Sequence, residues 1–310
     1  MRIGRLAHVA LGAGEHRDEM QHFYRELLGV VEVGRAGETT FLSGGMKPAY
    51  DVALVPGPAG LHHIAFEVPG PDDLAHARDR LAAVDVAVDE LDVGLDHGID
   101  EGIAFVLPSG HAFELVVLSE PEVFRGTPSV GSQHFVGAGP TSLEHVSVDC
   151  NDVETAARFL EDNLGFLNTE YSQPASGPWF FAFMRTNELH HDLGMFRHGE
   201  WDGPGLNHIA FVVPSIVEIA RVADLACALG WKLQCSPGRH LVGDNMFIYI
   251  VDPSGNRVEV NTPLTKIERS ARTRVFDASG DVEWNGFDGW RSGIPPQART
   301  PGPCVDARKL

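Results

Sequence analysis

The 310-residue chain holds only four cysteines, Cys150, Cys227, Cys235 and Cys304, and no two of them form a CxxC pair. That excludes a Cys-type zinc site and suits a reducing cytoplasm, which is the expected location. No apolar run approaches the roughly 20 residues that a membrane span requires, so no membrane segment is expected. Basic residues are scarce, with 24 Lys and Arg against 43 Asp and Glu, a net charge of −19. Nucleic acid is excluded as a partner, because phosphate binding needs clustered cations. The N-terminal MRIGRLAHVALGAGEH has two arginines but a short apolar stretch, broken by His8 and glycines, and does not read as a secretory leader.

What the chain does have is repetition. LAHVALGAGEHRDEMQHFYRELLGVVEV, from residue 6, aligns with LEHVSVDCNDVETAARFLEDNLGFLNTE, from residue 143. Both read as a strand bearing a histidine, a loop, an amphipathic helix and a leucine-glycine stop. LHHIAFEVPGPDDLAHARDRLAAVDVAV, from residue 61, aligns in the same way with LNHIAFVVPSIVEIARVADLACALGWKL, from residue 206. Each second unit ends in a Pro-Ser-Gly turn, LPSGHAFEL or DPSGNRVEV, that leads into a strand with a glutamate. The chain is therefore expected to be α+β: four βαβββ units paired into two half-open barrel domains, followed by a tail. The expected boundaries are 1–120 for the first domain, 121–140 for a Gly/Pro/Ser-rich linker, 141–265 for the second domain and 266–310 for the tail.

His145, His208 and Glu259 fall on three such strands, and His8, His63 and Glu114 repeat them. Two histidines and a carboxylate can occupy one face of a metal and leave the opposite face open. The gap from the second histidine to the glutamate is 51 residues in both copies, a coincidence that lone structural histidines do not produce. Along its strand, His145 shares a face with Ser147.

Two C-terminal phrases narrow the chemistry. ELHHDLGMF carries His190 and His191, and SPGRHLVGDNMFIYIVDPSGNRVEV carries His240, Tyr249 nine residues later, and Glu259. On these phrases and the duplicated pattern, residues 3 to 264 resemble the vicinal oxygen chelate superfamily, and within it the two-domain extradiol catechol dioxygenases. The resemblance implies Fe(II), with Mn(II) as the alternative, held by His145, His208 and Glu259, and O2 as co-substrate to a small aromatic diol. It implies His191 as the acid-base residue, with His240 and Tyr249 bonding to the substrate oxygens. Strand alternation puts His190 on the face opposite His191. Where some relatives carry asparagine, this chain has Ser147, a candidate substrate contact together with Arg239 and Arg291. Two other readings stand beside this one: a glyoxalase-type metal-dependent lyase or isomerase, and a non-catalytic small-molecule binding protein of the same fold.

The first half keeps His8, His63 and Glu114 but lacks the accessory groups: Ala104 replaces Tyr249, Leu95 replaces His240, and Asp51 aligns with His191. Its triad is expected to be a vestige of duplication. The histidines at 16, 111, 134 and 198 read as loop or surface residues. The tail, with Trp284, Phe287 and Trp290, is expected either to cover the mouth of the second barrel, with Arg291 toward the substrate, or to pack against a neighbouring subunit of a homo-oligomer.

Overall fold

The structure, a computed structural model, describes residues 1–44, 49–92, 97–119, 136–174, 177–198, 202–277, 287–290 and 300–309. The first half contributes β1 (Leu6–Gly12), β2 (Val31–Ala36), β3 (Thr39–Ser43), β4 (Val52–Val55), β5 (Gly60–Glu67), β6 (Asp89–Glu90), β7 (Ile99–Val106) and β8 (Ala112–Leu118). The second contributes β9 (Ser142–Cys150), β10 (Leu167–Gln173), β11 (Phe181–Arg185), β12 (Leu193–Arg197), β13 (Gly205–Val212), β14 (Leu233–Arg239), β15 (Met246–Val251) and β16 (Arg257–Asn261). The helices are α1 (Arg17–His22), which widens into a π-helical Phe23–Leu28, then α2 (Pro71–Ala82), α3 (Val153–Leu164) and α4 (Ile216–Ala228).

Strand order makes the duplication explicit. The first sheet runs β2-β3-β4-β1-β5-β8-β7-β6, and the second runs β10-β11-β12-β9-β13-β16-β15-β14. The tail adds one strand to this plan, β17 (Arg274–Asp277), parallel to β10. In each sheet the two histidine strands pair antiparallel at the centre, flanked by parallel neighbours.

One face of each sheet carries the apolar alternation, as in Val146, Val148 and Cys150 of β9, and packs under the helices. These faces meet in one core shared by both halves. Phe66 and Phe113 from the first half pack on Phe166 from the second, Phe23 meets Trp231 edge to face, and the Tyr24 hydroxyl donates to Asp252. His111 belongs here too. Contrary to the surface position its sequence suggests, it is buried, with Nε2 3.0 Å from the Gly205 carbonyl and Nδ1 2.9 Å from the Ser109 hydroxyl. Burial pushes its imidazole down to about 4, so it acts as a neutral donor to Gly205 between the halves.

Pairing of the central strands skips one residue before every ligand histidine: Ala7 and His62 between β1 and β5, Glu144 and Asn207 between β9 and β13. Such a bulge sets two residues against one and re-aims the side chains around it. The four histidines are thereby turned onto the concave face.

Part of the tail is a strap. Leu61 donates to the Pro303 carbonyl and Val305 to the Leu61 carbonyl in the first half, while Gly302 exchanges hydrogen bonds with Leu206 in the second. This stretch ties β5 to β13 within one chain.

Candidate metal centre and active site

His145 comes from β9, His208 from β13 and Glu259 from β16, three adjacent strands of the second sheet. Their donor atoms converge. His145 Nε2 lies 3.2 Å from His208 Nε2 and 3.9 Å from Glu259 Oε2, and His208 Nε2 lies 3.1 Å from that oxygen. All three residues are buried, and Glu259 Oε2 has no hydrogen-bond partner among the described residues. A buried carboxylate oxygen left unpaired between two imidazoles fits a divalent cation, which would satisfy all three groups at once.

The surroundings prepare these groups. Asn207, in the bulge before His208, accepts from His208 Nδ1 at 2.8 Å, while its own amide donates to Asp149 at 3.0 Å. His208 therefore carries its proton on Nδ1 and turns the Nε2 lone pair toward the other ligands. Asn245 donates to Glu259 Oε1 at 2.9 Å, which leaves Oε2 for an ion. Glu144, in the other bulge, lies 3.7 Å from His145 Nδ1 and accepts from Asn261 at 2.6 Å. Strict alternation would turn Glu144 and Asn207 away from the site, so sequence reasoning missed both. The available signal was a polar residue immediately before each C-terminal ligand histidine.

Electrostatics differ among the three ligands. Burial pushes the His208 imidazole down, to about 3. Burial also opposes charge on His145, but the carboxylates of Glu144 and Glu259 outweigh it and hold that imidazole up at about 9. Glu259 is itself held down at about 2, because His208 and His145 more than offset the desolvation that would raise it.

His191 packs its ring 4.5 Å from His145 and 4.5 Å from Phe183. It precedes β12 instead of lying on a strand, so alternation does not separate it from His190. The two rings touch, with Nδ1 atoms 2.9 Å apart, and His190 Nε2 is 3.1 Å from Glu170 Oε1. Glu170 Oε1 accepts a hydrogen bond from His190 Nε2, and His190 Nδ1 then accepts from His191 Nδ1. That chain leaves Nε2 of His191 as its basic nitrogen. Burial, reinforced by the neighbouring imidazoles, pushes His191 well below its usual range and keeps it neutral.

On β15, Tyr249 is the register partner of Glu259 and stands 5.4 Å, ring to ring, from His208. Its hydroxyl is 3.1 Å from His240 Nε2, and His240 Nδ1 donates to the Phe287 carbonyl at 2.7 Å. That carbonyl can only accept, so His240 Nε2 accepts from the phenol. Burial and the Glu259 charge push the Tyr249 hydroxyl well above its usual range. Ser147, the register partner of His208, is buried with its hydroxyl unpartnered among the described residues. Arg239 pairs with Asp244 on the loop after β14, and its other carried-over companion, Arg291, lies outside the described residues. Phe181, Phe183, Phe196, Val242 and Phe287 close one side of the cavity as an apolar wall.

In the first sheet, His8, His63 and Glu114 also converge, from β1, β5 and β8. Ala104 takes the position of Tyr249, since it pairs with Glu114 as Tyr249 pairs with Glu259. Leu95 lies outside the described residues. Asp51 is not the counterpart of His191. Val9 pairs with Val52 as Val146 pairs with Leu193, which matches Asp51 to Asp192 and Tyr50 to His191. Asp51 instead accepts from the Leu143 amide at 3.0 Å and so links the halves.

Comparison with known proteins agrees with this architecture. Residues 142–260 match the Glyoxalase/Bleomycin resistance protein/Dioxygenase superfamily, and residues 61–120 match the catechol 2,3-dioxygenase-like N-terminal domain. A manganese-dependent 2,3-dihydroxybiphenyl 1,2-dioxygenase of Geobacillus genomosp. 3 is 28% identical over 267 residues, spanning 83% of this chain and 84% of that one. A metapyrocatechase of Pseudomonas sp. (strain CF600) is 25% identical over 265 residues, 83% and 85% of the respective chains. The crystal structure of homoprotocatechuate 2,3-dioxygenase from Arthrobacter globiformis superposes with a TM-score of 0.85 over 99% of this chain and 94% of that one. At 23% identity it shows a shared fold. The chain belongs to the glyoxalase/dioxygenase superfamily, as a two-domain member of its extradiol catechol dioxygenase branch.

Proposed function

We propose that the protein is an extradiol ring-cleaving dioxygenase that converts a catechol-type aromatic diol to a muconic semialdehyde-type product. It would use Fe(II), or Mn(II), and O2. The observation that carries this reading is the convergence of a buried His145–His208–Glu259 face with His191 and the His240–Tyr249 pair in one cavity. The relatives named for cleaving dihydroxybiphenyl and catechol-type compounds support it. The ion, held by His145, His208 and Glu259, supplies the electronic link between an aromatic diol and O2 that the two lack on their own.

The protein's own groups do the rest. Buried and neutral, His191 takes a proton from the diol through Nε2 and returns it as the ring opens. Tyr249 stays protonated and, with a diol bound, turns its one O–H from His240 Nε2 to a diol oxygen, beside the imidazole that Phe287 fixes. Ser147 offers a second hydroxyl to the substrate. The phenylalanine wall keeps water from the opening ring.

The test is a panel of substituted catechols assayed with Fe(II) or Mn(II) in air, with a yellow product expected. Under anaerobic conditions product must disappear. Turnover that persists without O2 would mean a glyoxalase-type lyase or isomerase, and absence of product from every diol would leave a binding protein. No helix among the described residues is long and apolar enough to cross a membrane. The four cysteines are free thiols, which fits the cytoplasmic location we assign. We also expect a homo-oligomer, with the half-exposed Trp290 at a contact, to be checked by light scattering.

A further inference from the structure

The first half lacks the groups needed for turnover, but a metal does not need those groups to bind. His8 Nε2 lies 3.2 Å from His63 Nε2 and 3.7 Å from Glu114 Oε2, against 3.2 and 3.9 Å for the matching pairs of the second half. His63 Nδ1 is 3.3 Å from the other Glu114 oxygen. Glu114 is buried, and its Oε2 has no hydrogen-bond partner among the described residues, as with Glu259 Oε2. Burial opposes charge on the Glu114 carboxyl, yet His63 and His8 hold it below its usual range, ready as an anionic ligand.

A fourth donor is present. The buried Tyr50 hydroxyl is 3.1 Å from His8 Nε2, with its ring 4.3 Å from the imidazole, where His191 stands over His145 in the other half. Two donors on one tetrahedral zinc, each about 2.0–2.1 Å away, lie roughly 3.3 Å apart, and the spacings around His8 Nε2 bracket that figure. Ala10, Phe41, Ala53, Ala65 and Val116 make an apolar cluster on this face, with the His97 ring stacked on Phe41. Among the described residues, Ala104 stands in the place of Tyr249, so the phenol of the other site has no counterpart here.

We propose that His8, His63, Glu114 and Tyr50 form a second, structural metal site that holds a tetrahedral divalent cation of the zinc class. Closed by four protein donors, it leaves no position for O2 or a diol. The ion cross-links β1, β5, β8 and the segment that enters β4. The bulge residues Ala7 and His62 replace Glu144 and Asn207, so the site lacks the oxygens that steady the C-terminal ligands. It is therefore expected to bind about 10- to 100-fold more weakly than the C-terminal site.

The experiment removes the other site. The metal-free full chain and its His208→Ala/Glu259→Gln variant are loaded with Zn(II) or Co(II), desalted and counted by mass spectrometry. Two ions per chain are expected for the unmodified protein and one for the variant, whose thermal midpoint should rise with added Zn(II). Adding His63→Ala and Glu114→Gln to that variant should abolish the remaining ion. Retention of the ion despite these changes would assign it elsewhere and overturn the site. A folded His208→Ala/Glu259→Gln variant that holds no metal would overturn it outright. Tyr50→Phe in that background should keep Co(II) but change its visible spectrum. An unchanged spectrum would remove Tyr50 from the ligand set. None of these readouts requires ring cleavage, so failure of the dioxygenase assignment would leave the result intact.

Discussion

Metal binding at the C-terminal triad should release a proton, because His145 is held up at about 9 by Glu144 and Glu259. The sign follows from that direction. Below pH 9 the imidazole carries a proton that an ion must displace, so affinity rises with pH and levels off as the proton is lost. His208, pushed down to about 3, and Glu259, held down at about 2, add no further proton near neutrality. At pH 7 the ion must displace that proton, which lowers its apparent affinity. Calorimetric titration with Mn(II) in two buffers of different ionisation enthalpy counts protons directly. A His63→Ala/Glu114→Gln background restricts the signal to the C-terminal triad. The expected result is about one proton released per ion at pH 7, with affinity rising about tenfold per pH unit between about 5 and 8. Glu144→Gln should move proton release to lower pH, because one of the two carboxylates that raise His145 is gone. No proton release at pH 7, or affinity independent of pH over that range, would refute the electrostatic picture of this centre.

Four further outcomes are expected. Glu259→Gln should lose the C-terminal ion, since an amide supplies no charge to a dication; full retention, measured by metal analysis, would remove Glu259 from the ligand set. His191→Asn should keep the ion and bind diol anaerobically but turn over roughly 10²- to 10⁴-fold more slowly; loss of the ion would make His191 a ligand. Glu170→Gln should lower kcat and shift its pH profile without loss of metal, because His190 no longer has a carboxylate to hold its tautomer; an unchanged profile would show that the Glu170–His190 chain does not reach the reaction. Phe287→Ala should loosen the apolar wall and the His240 anchor, weakening diol binding by spectroscopic titration; unchanged binding and turnover would exclude the tail as a cover.

The ligands were legible in the sequence because duplication wrote them twice at equal spacing. Chance alternation does not repeat a histidine, a second histidine and a glutamate in register. The same signal did not reach the residues that tune them. Glu144 and Asn207 sit in bulges, where the period-2 rule assigns the wrong face, and a bulge depends on pairing that no single strand displays. Tyr50 was missed by one position, since YDVALV can be set against HHDLGMF in two registers. Only the pairing of Val9 with Val52 and of Val146 with Leu193 selects one of them. The strap at 300–309 has no apolar period, because its contacts run through backbone atoms to Leu61 and Leu206.

The two sheets show what a duplicated binding face can lose and still keep. The strand order, the two bulges and the three ligands persist in both copies, the ligands aimed by the same backbone path. The chemistry sits in positions that a single substitution can change without moving that path. Tyr50 stands where His191 does, exchanging a base for a hydroxyl that can close the coordination sphere. Ala104 stands where Tyr249 does, which removes the phenol proposed to meet the substrate. Phe41 and Phe183, by contrast, occupy matching places beside those residues, with ring separations of 4.6 and 4.5 Å. Packing is thus shared by the two halves, while the groups proposed for proton transfer stand in one. The single catalytic centre we propose for a chain with two triads requires only side-chain exchange on a common frame, without any difference in fold.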